Sequence, residues 1–310
     1  MRNDDAGGHR DAGERRTKTD LWMAGDRPRT VWRLSGFIAS YFLVALVLGI
    51  GYQFLPGGFH TVFVQTLLLH LATAAATVIA VYAIDQRTWK SVGLWFFPRW
   101  SRAFLAGTAL GVGFILLVWL PGVASGWEVL PPASWEAGYI LDVVGSGVLL
   151  YLLVGFGEEL LFRGYCFQAL IEGTNEAVAV VCTAVLFGLA HAFNPNADVL
   201  SVVNIGLAGT MFGIAYIRTR SLWLPAGIHF GWNFAQGTLF GMPVSGMQVR
   251  GLLSTRIAGP SWLTGDVFGL EGGLGITVVL LLAILALYHP AIARLRPEES
   301  EDGNQEYERS

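Results

Sequence analysis

Three ionisable residues fall within six positions of an otherwise apolar run: Glu158, Glu159 and Arg163, in the segment YLLVGFGEELLFRGY from Tyr151 to Tyr165. A charge at the centre of a bilayer costs about 3 kcal/mol on insertion scales, so ionisable residues inside a membrane helix are functional candidates. On a helix, Glu159 and Arg163 are four residues apart, share a face and can pair. A purely structural ion pair is the equal alternative for these two. Glu158 is turned by about 100° from Glu159 and cannot use that face. With no base three or four residues away, it must be protonated, hydrated or paired with another segment. One carboxylate can thus be neutralised by Arg163 while the other is free for chemistry.

Further polar residues interrupt the apolar segments that follow. His191 lies in FGLAHAFNPNA, one turn after Phe187, and Pro195 between Asn194 and Asn196 stops the helix there. His229 and Asn233, in LPAGIHFGWNFAQG, are again four apart and share a face. Asn204 can bond across to a neighbouring helix. An earlier histidine, His70, reads as a residue that hydrogen-bonds one helix to another. A carboxylate and a histidine sharing one water can polarise it and take its proton. A second histidine and an amide can donate to a developing oxyanion. Together these are the parts needed to hydrolyse an amide bond. No G-x-S-x-G turn is present and no cysteine lies beside a histidine, so water is the expected nucleophile. By ligand type, Glu158, His191 and His229 also match a catalytic zinc set, although H-E-x-x-H is absent. Metal-bound and metal-free water both stay open at this point.

Such residues need helices to carry them through lipid. Of 310 residues, 53% are hydrophobic and only 14% charged, with a mean hydropathy of +0.51. Eight apolar segments stand out, at about 36–55, 62–84, 102–122, 140–171, 177–193, 199–217, 222–240 and 272–289. The expected class is therefore all-α: a polytopic membrane protein, a bundle of eight transmembrane helices spanning residues 34–293. The fourth segment is long enough to tilt or to run past the membrane. Residues 1–33 carry eight Lys/Arg and read as a disordered cytoplasmic tail, and residues 294–310, with six acidic residues, as a second solvated tail. Seventeen Lys/Arg fall on the side of the two termini and only Arg250 and Arg256 on the other, which places both termini in the cytoplasm. The connection 241–271 is Gly-rich and reads as a lid or an irregular extramembrane loop. Cys166 and Cys182 sit in apolar context and read as core fillers. The net charge of −3 implies no nucleic-acid partner. The expected partners are the lipid bilayer and a membrane-associated substrate.

E-E-x-x-x-R, then F-x-x-x-H, then H-x-x-x-N, each in an apolar helix and in that order, resembles the CAAX-protease and bacteriocin-processing family of intramembrane proteases. Here the motifs run from Glu158 to Arg163, from Phe187 to His191 and from His229 to Asn233. The likeness covers roughly residues 140–240; the first three segments and both tails match nothing in it. The resemblance implies an eight-helix bundle with a conical cavity open to membrane and cytoplasm. It implies that Glu158 and His191 activate water, that His229 and Asn233 hold the oxyanion, and that Glu159 and Arg163 support the site. The family has been labelled a metalloprotease, yet its motifs also fit a glutamate-type, metal-free mechanism, which is the expectation here over a zinc ion. Eukaryotic members trim three residues after a prenylated cysteine, whereas others mature peptides or confer bacteriocin immunity. Nothing in the chain marks a prenyl pocket, so the expected substrate is a membrane-associated peptide or protein at the plasma membrane. A proton- or ion-coupled carrier is the rival from another class; the two halves lack the matching motifs of an inverted repeat. A non-catalytic immunity or scaffold protein is the third.

Overall fold

The computed structural model describes residues 23–24, 27–59, 61–132 and 135–297. The chain is mostly helical, and six stretches are long and apolar enough to cross a membrane: Thr30–Gln53, Val62–Ile84, Trp100–Ala124, Ala137–Gly173, Glu176–Phe193 and Val199–Thr219. The protein is a multi-pass integral membrane protein.

The first helix, α1 (Thr30–Gln53), buries only Arg33 and Phe37. Its other large side chains, such as Phe42, Leu46 and Ile50, are exposed, as suits a helix whose solvent is lipid. It begins at Thr30, inside the stretch expected to be tail. Arg33 is the reason: it is buried, bonding Asp85 through Nε at 3.0 Å and Glu172 through Nη1 at 2.8 Å. The rest of the expected N-terminal tail, apart from residues 23–24 and 27–29, and the acidic tail beyond residue 297, lie outside the described residues.

Helix α2 (Val62–Ile79) is capped by the Thr61 side chain and continues as a π-turn over Ala80–Ile84. Helix α3 (Trp100–Ala124) follows, and then α4 (Ala137–Arg163), which carries the two glutamates. The long fourth segment does not run straight on. It breaks at Gly164 and resumes as a separate helix, α5 (Tyr165–Gly173). A Cβ at Gly164 would stand 2.3 Å from the Leu160 carbonyl oxygen, so the sharp turn needs glycine.

Asn175 caps α6 (Glu176–Ala190), which ends in a single 3₁₀ turn over His191–Phe193. A capping box of Asp198 and Ser201 starts α7 (Val199–Thr219). Helix α8 (Trp223–Asn233) is buried at every position and passes into a π-turn over Phe234–Leu239. A helix apolar on nearly all sides belongs in the middle of a bundle. It is shorter than the six long stretches, as is the last apolar helix, α9 (Leu274–Ala286).

Two glycine pairs seat α8 against α3. Gly107 and Gly111 of α3 face the backbone of α8, where an added Cβ would lie 2.4 Å from the Leu224 oxygen and 2.2 Å from the Ile228 oxygen. Gly227 and Gly231 of α8 face α3 in the same way, 2.3 Å from the oxygens of Phe104 and Thr108. Small residues on both partners let the backbones touch, the usual source of helix association where lipid removes the hydrophobic drive.

The connection after α8 is a packed cap. It contributes Met242, Val244, Phe268 and Leu270 to the buried set and a strand, Ser254–Arg256, that pairs antiparallel with Glu128–Leu130. Asn204 of α7 bonds across as expected: its Nδ2 donates to the oxygens of Glu271 at 2.8 Å and Gly273 at 3.0 Å, and Thr277 donates to its Oδ1 at 2.7 Å. Of the two cysteines, Cys166 is half-buried but Cys182 is exposed on α6, so only the former fills a core position.

Candidate active site

Helices α4, α6 and α8 bring the three motifs to one place. The Glu159–Arg163 pair forms along α4, with Arg163 Nη1 3.2 Å from Glu159 Oε1 and both side chains fully buried. Arg163 has two further anchors. Its Nη2 donates to the Gly209 carbonyl of α7 at 2.8 Å. Its guanidinium also lies 4.6 Å from the Phe187 ring centroid and 5.4 Å from that of Phe212. A buried cation held by a carboxylate, a carbonyl and two ring faces has replaced its water shell with fixed protein dipoles.

Glu159 Oε1 serves two partners, since His229 Nδ1 stands 3.2 Å from it. The His229 ring stacks on Phe212 with centroids 4.8 Å apart and planes inclined by 15°. Glu159 and Phe212 therefore fix both the position and the tilt of this imidazole. The other histidine is held by its own helix. His191 Nδ1 lies 2.8 Å from the Phe187 carbonyl oxygen. A carbonyl can only accept, so Nδ1 carries the proton and the neutral ring presents the Nε2 lone pair. F-x-x-x-H thus has a local cause: Phe187 supplies the carbonyl that sets the tautomer and the ring face that meets Arg163.

Glu158 points away from this cluster, as its rotation on the helix requires, and toward the two Nε2 atoms. Its Oε2 is 3.8 Å from His191 Nε2 and 3.9 Å from His229 Nε2. This Oε2 accepts no hydrogen bond from any described residue. Separations of this size are too long for direct hydrogen bonds and suit a bridging water. Asn233 lies one turn beyond His229, and both line a small cavity of about 30 Å³ together with His191 and Phe187. All six residues singled out from the sequence therefore gather around one site. Among the described residues, no group of three or more His, Cys, Asp or Glu converges as metal ligands do.

Three neighbours of the site were not legible as such. Glu271, from the cap, lines the same cavity and accepts from Gln236 Nε2 at 2.7 Å. Tyr41 of α1 and His70 of α2 both stand within electrostatic range of Glu158. The hydrogen bond between helices expected of His70 is not made by its Nδ1, which is buried without a partner among the described residues. A signal for it was present in Gly157, the residue before the glutamates, where a side chain would overlap the His70 ring.

A multi-pass membrane bundle with a carboxylate–histidine site enclosed by its helices defines the class. Residues 141–235, which include all six site residues, match the family model described as Type II CAAX prenyl endopeptidase Rce1-like. A curated relative, "Putative membrane peptidase YdiL" of Bacillus subtilis (strain 168), is 30% identical over 129 residues, which cover 39% of this chain and 51% of the relative. The chain thus spans about half the length of the curated relative it matches. Its motif-bearing core is thus similar to the CAAX-protease and bacteriocin-processing family.

Proposed function

We propose that the chain is an intramembrane endopeptidase that hydrolyses a peptide bond of a membrane-associated peptide or protein. The observation that carries this is the position of Glu158 Oε2, 3.8 and 3.9 Å from the Nε2 atoms of two histidines whose Nδ1 atoms are engaged elsewhere. A water in that gap is held by His191 Nε2 and Glu158. Glu158 takes a proton as the water oxygen bonds the scissile carbonyl carbon. The oxyanion that forms is met by Asn233 and by His229, which as an imidazolium donates Nε2–H while Glu159 balances its charge through Nδ1–H. Collapse breaks the C–N bond, and Glu158 returns the proton to the leaving amine. Arg163 holds Glu159 in register.

The nucleophile is metal-free water in this proposal. Purified active protein is expected to hold far less than one zinc per chain and to survive chelation; stoichiometric zinc lost together with activity overturns this. The membrane in this proposal is the plasma membrane; that both termini lie in the cytoplasm is supported by the Lys/Arg asymmetry.

The test is a proteome-wide survey of peptide termini in cells expressing wild type or Glu158→Gln. The amide keeps the shape of the carboxylate and loses its basicity, so the variant should fold and lose roughly a hundredfold or more in turnover. New ends seen only with wild type support proteolysis and name the substrates. Equal termini from two well-expressed proteins, with transport that depends on Glu158, would replace the peptidase by a carrier.

A further inference from the structure

The wall of the site formed by α2 holds a third imidazole, that of His70, outside every motif and outside the matched residues 141–235. The ring lies on the backbone of Gly157: a Cβ there would stand 2.1 Å from both Cγ and Nδ1 of His70. Only glycine lets the imidazole come so close to α4, and it does so one residue before Glu158. His70 is in electrostatic range of both Glu158 and His229. It therefore belongs to the same polar cluster, although 88 positions separate it from Glu158 in the chain.

Its tautomer follows from its surroundings. Nδ1 is buried and meets no acceptor among the described residues. A buried N–H without an acceptor is rarer in folded proteins than a buried acceptor without a donor, so the lone pair is assigned to Nδ1. The proton thus sits on Nε2, which makes His70 a donor. The nearby group in want of a donor is the Glu158 carboxylate, whose Oε2 accepts nothing from a described residue.

We infer that His70 is a positioning residue of the reaction site: its Nε2–H bears on Glu158, directly or through one water, and fixes the direction in which that carboxylate faces the histidines. The role rests on the peptidase proposal, because it acts through the carboxylate assigned as base. It also explains why Gly157 precedes the glutamate pair.

Two substitutions separate a donor from a filler. His70→Phe keeps an aromatic ring and removes the N–H. His70→Gln places an amide nitrogen near the Nε2 position. In the terminus survey, His70→Phe should reduce the wild-type-specific ends by about tenfold or more, the size expected for a hydrogen bond to a charged group, and His70→Gln should stay within about threefold of wild type. Equal loss in both variants, or full yield from His70→Phe, overturns the inference. Should His70→Phe fail to fold, Gly157→Ala displaces the ring from α4 and is expected to give the same tenfold loss; unchanged yield from it is equally fatal. A second readout needs no activity. Isotope-edited NMR of the histidine ring nitrogens in the full chain in detergent should show His70 protonated on Nε2, with a signal that moves in Glu158→Gln. A His70 signal insensitive to Glu158→Gln overturns the inference, whatever the survey shows. If wild type makes no ends beyond those of Glu158→Gln, the peptidase proposal fails, and the NMR signal still reports on the contact by itself.

Discussion

Like its partner Glu159, Arg163 is a charged side chain with no exposed surface. It has one carboxylate, one carbonyl and two ring faces as its surroundings, and its Nε has no partner among the described residues. Removing one member of a buried ion pair leaves the other uncompensated, so Arg163→Ala should cost about 3–5 kcal/mol. Thermal melts in detergent would reveal this as a loss of folded protein, and a wild-type melt would refute it. Arg163→Lys should also fail to restore activity, since an ammonium cannot reach Glu159 and Gly209 together while lying flat between Phe187 and Phe212. At this scale the sequence was informative wherever partners share a helix. The four-residue spacing of Glu159 with Arg163, and the rotation that separates Glu158 from both, follow from helix geometry alone. Arg33 was misread because its partners, Asp85 and Glu172, lie 52 and 139 positions away. The place of His70 beside the site was hidden for a similar reason, as its neighbour Gly157 is on another helix.

Among the elements, α8 has the most constrained position, because it carries His229 and Asn233 and touches α3 backbone to backbone. Nothing at Gly111 can yield: the atoms nearest an added Cβ are the Ile228 oxygen at 2.2 Å and the Trp232 nitrogen at 2.6 Å. Gly111→Leu must push the helices apart, costing at least ~1–3 kcal/mol and moving His229 away from Glu158. Gly113 is the internal control, on the same helix with nothing within 4 Å of its Cβ position. Melting curves and the terminus survey should show Gly111→Leu impaired in both and Gly113→Leu near wild type in both; equal behaviour would refute the contact. The G-x-x-x-G spacing at Gly107–Gly111 and Gly227–Gly231 was open to view in the chain. What could not be read was that the two motifs face each other, because spacing within a helix says nothing about which helix lies opposite. The break at Gly164 was hidden similarly, since a lone glycine is tolerated inside a helical pattern and need not end it.

For the whole molecule, apolar patterning disclosed an all-α membrane bundle, but not how the connection after α8 folds. That segment is fastened to α7 and to the π-turn after α8 through Asn204, Gln236 and Glu271. Replacing Asn204 by Leu leaves the Glu271 and Gly273 carbonyls without their donor. The variant is expected to be cut faster by added protease between residues 241 and 271, while the helices after it stay protected; unchanged cleavage would show that the cap is held by packing alone. At the opposite end of the chain, Arg33, Asp85, Tyr165, Glu172 and Arg87 clasp α1, the end of α2 and α5 together.

The meeting of α3 and α8 also bears on modularity. The residues that match the family model, 141–235, contain α8 but not α3. Excised, that stretch would offer lipid a helix cut away at Gly227 and Gly231 to receive a partner it no longer has. The recognisable segment is thus not a portable cassette. A chimera or minimal version that transplants the motifs into another bundle has to bring Trp100–Ala124 with them, or supply a helix with two small residues in the same places.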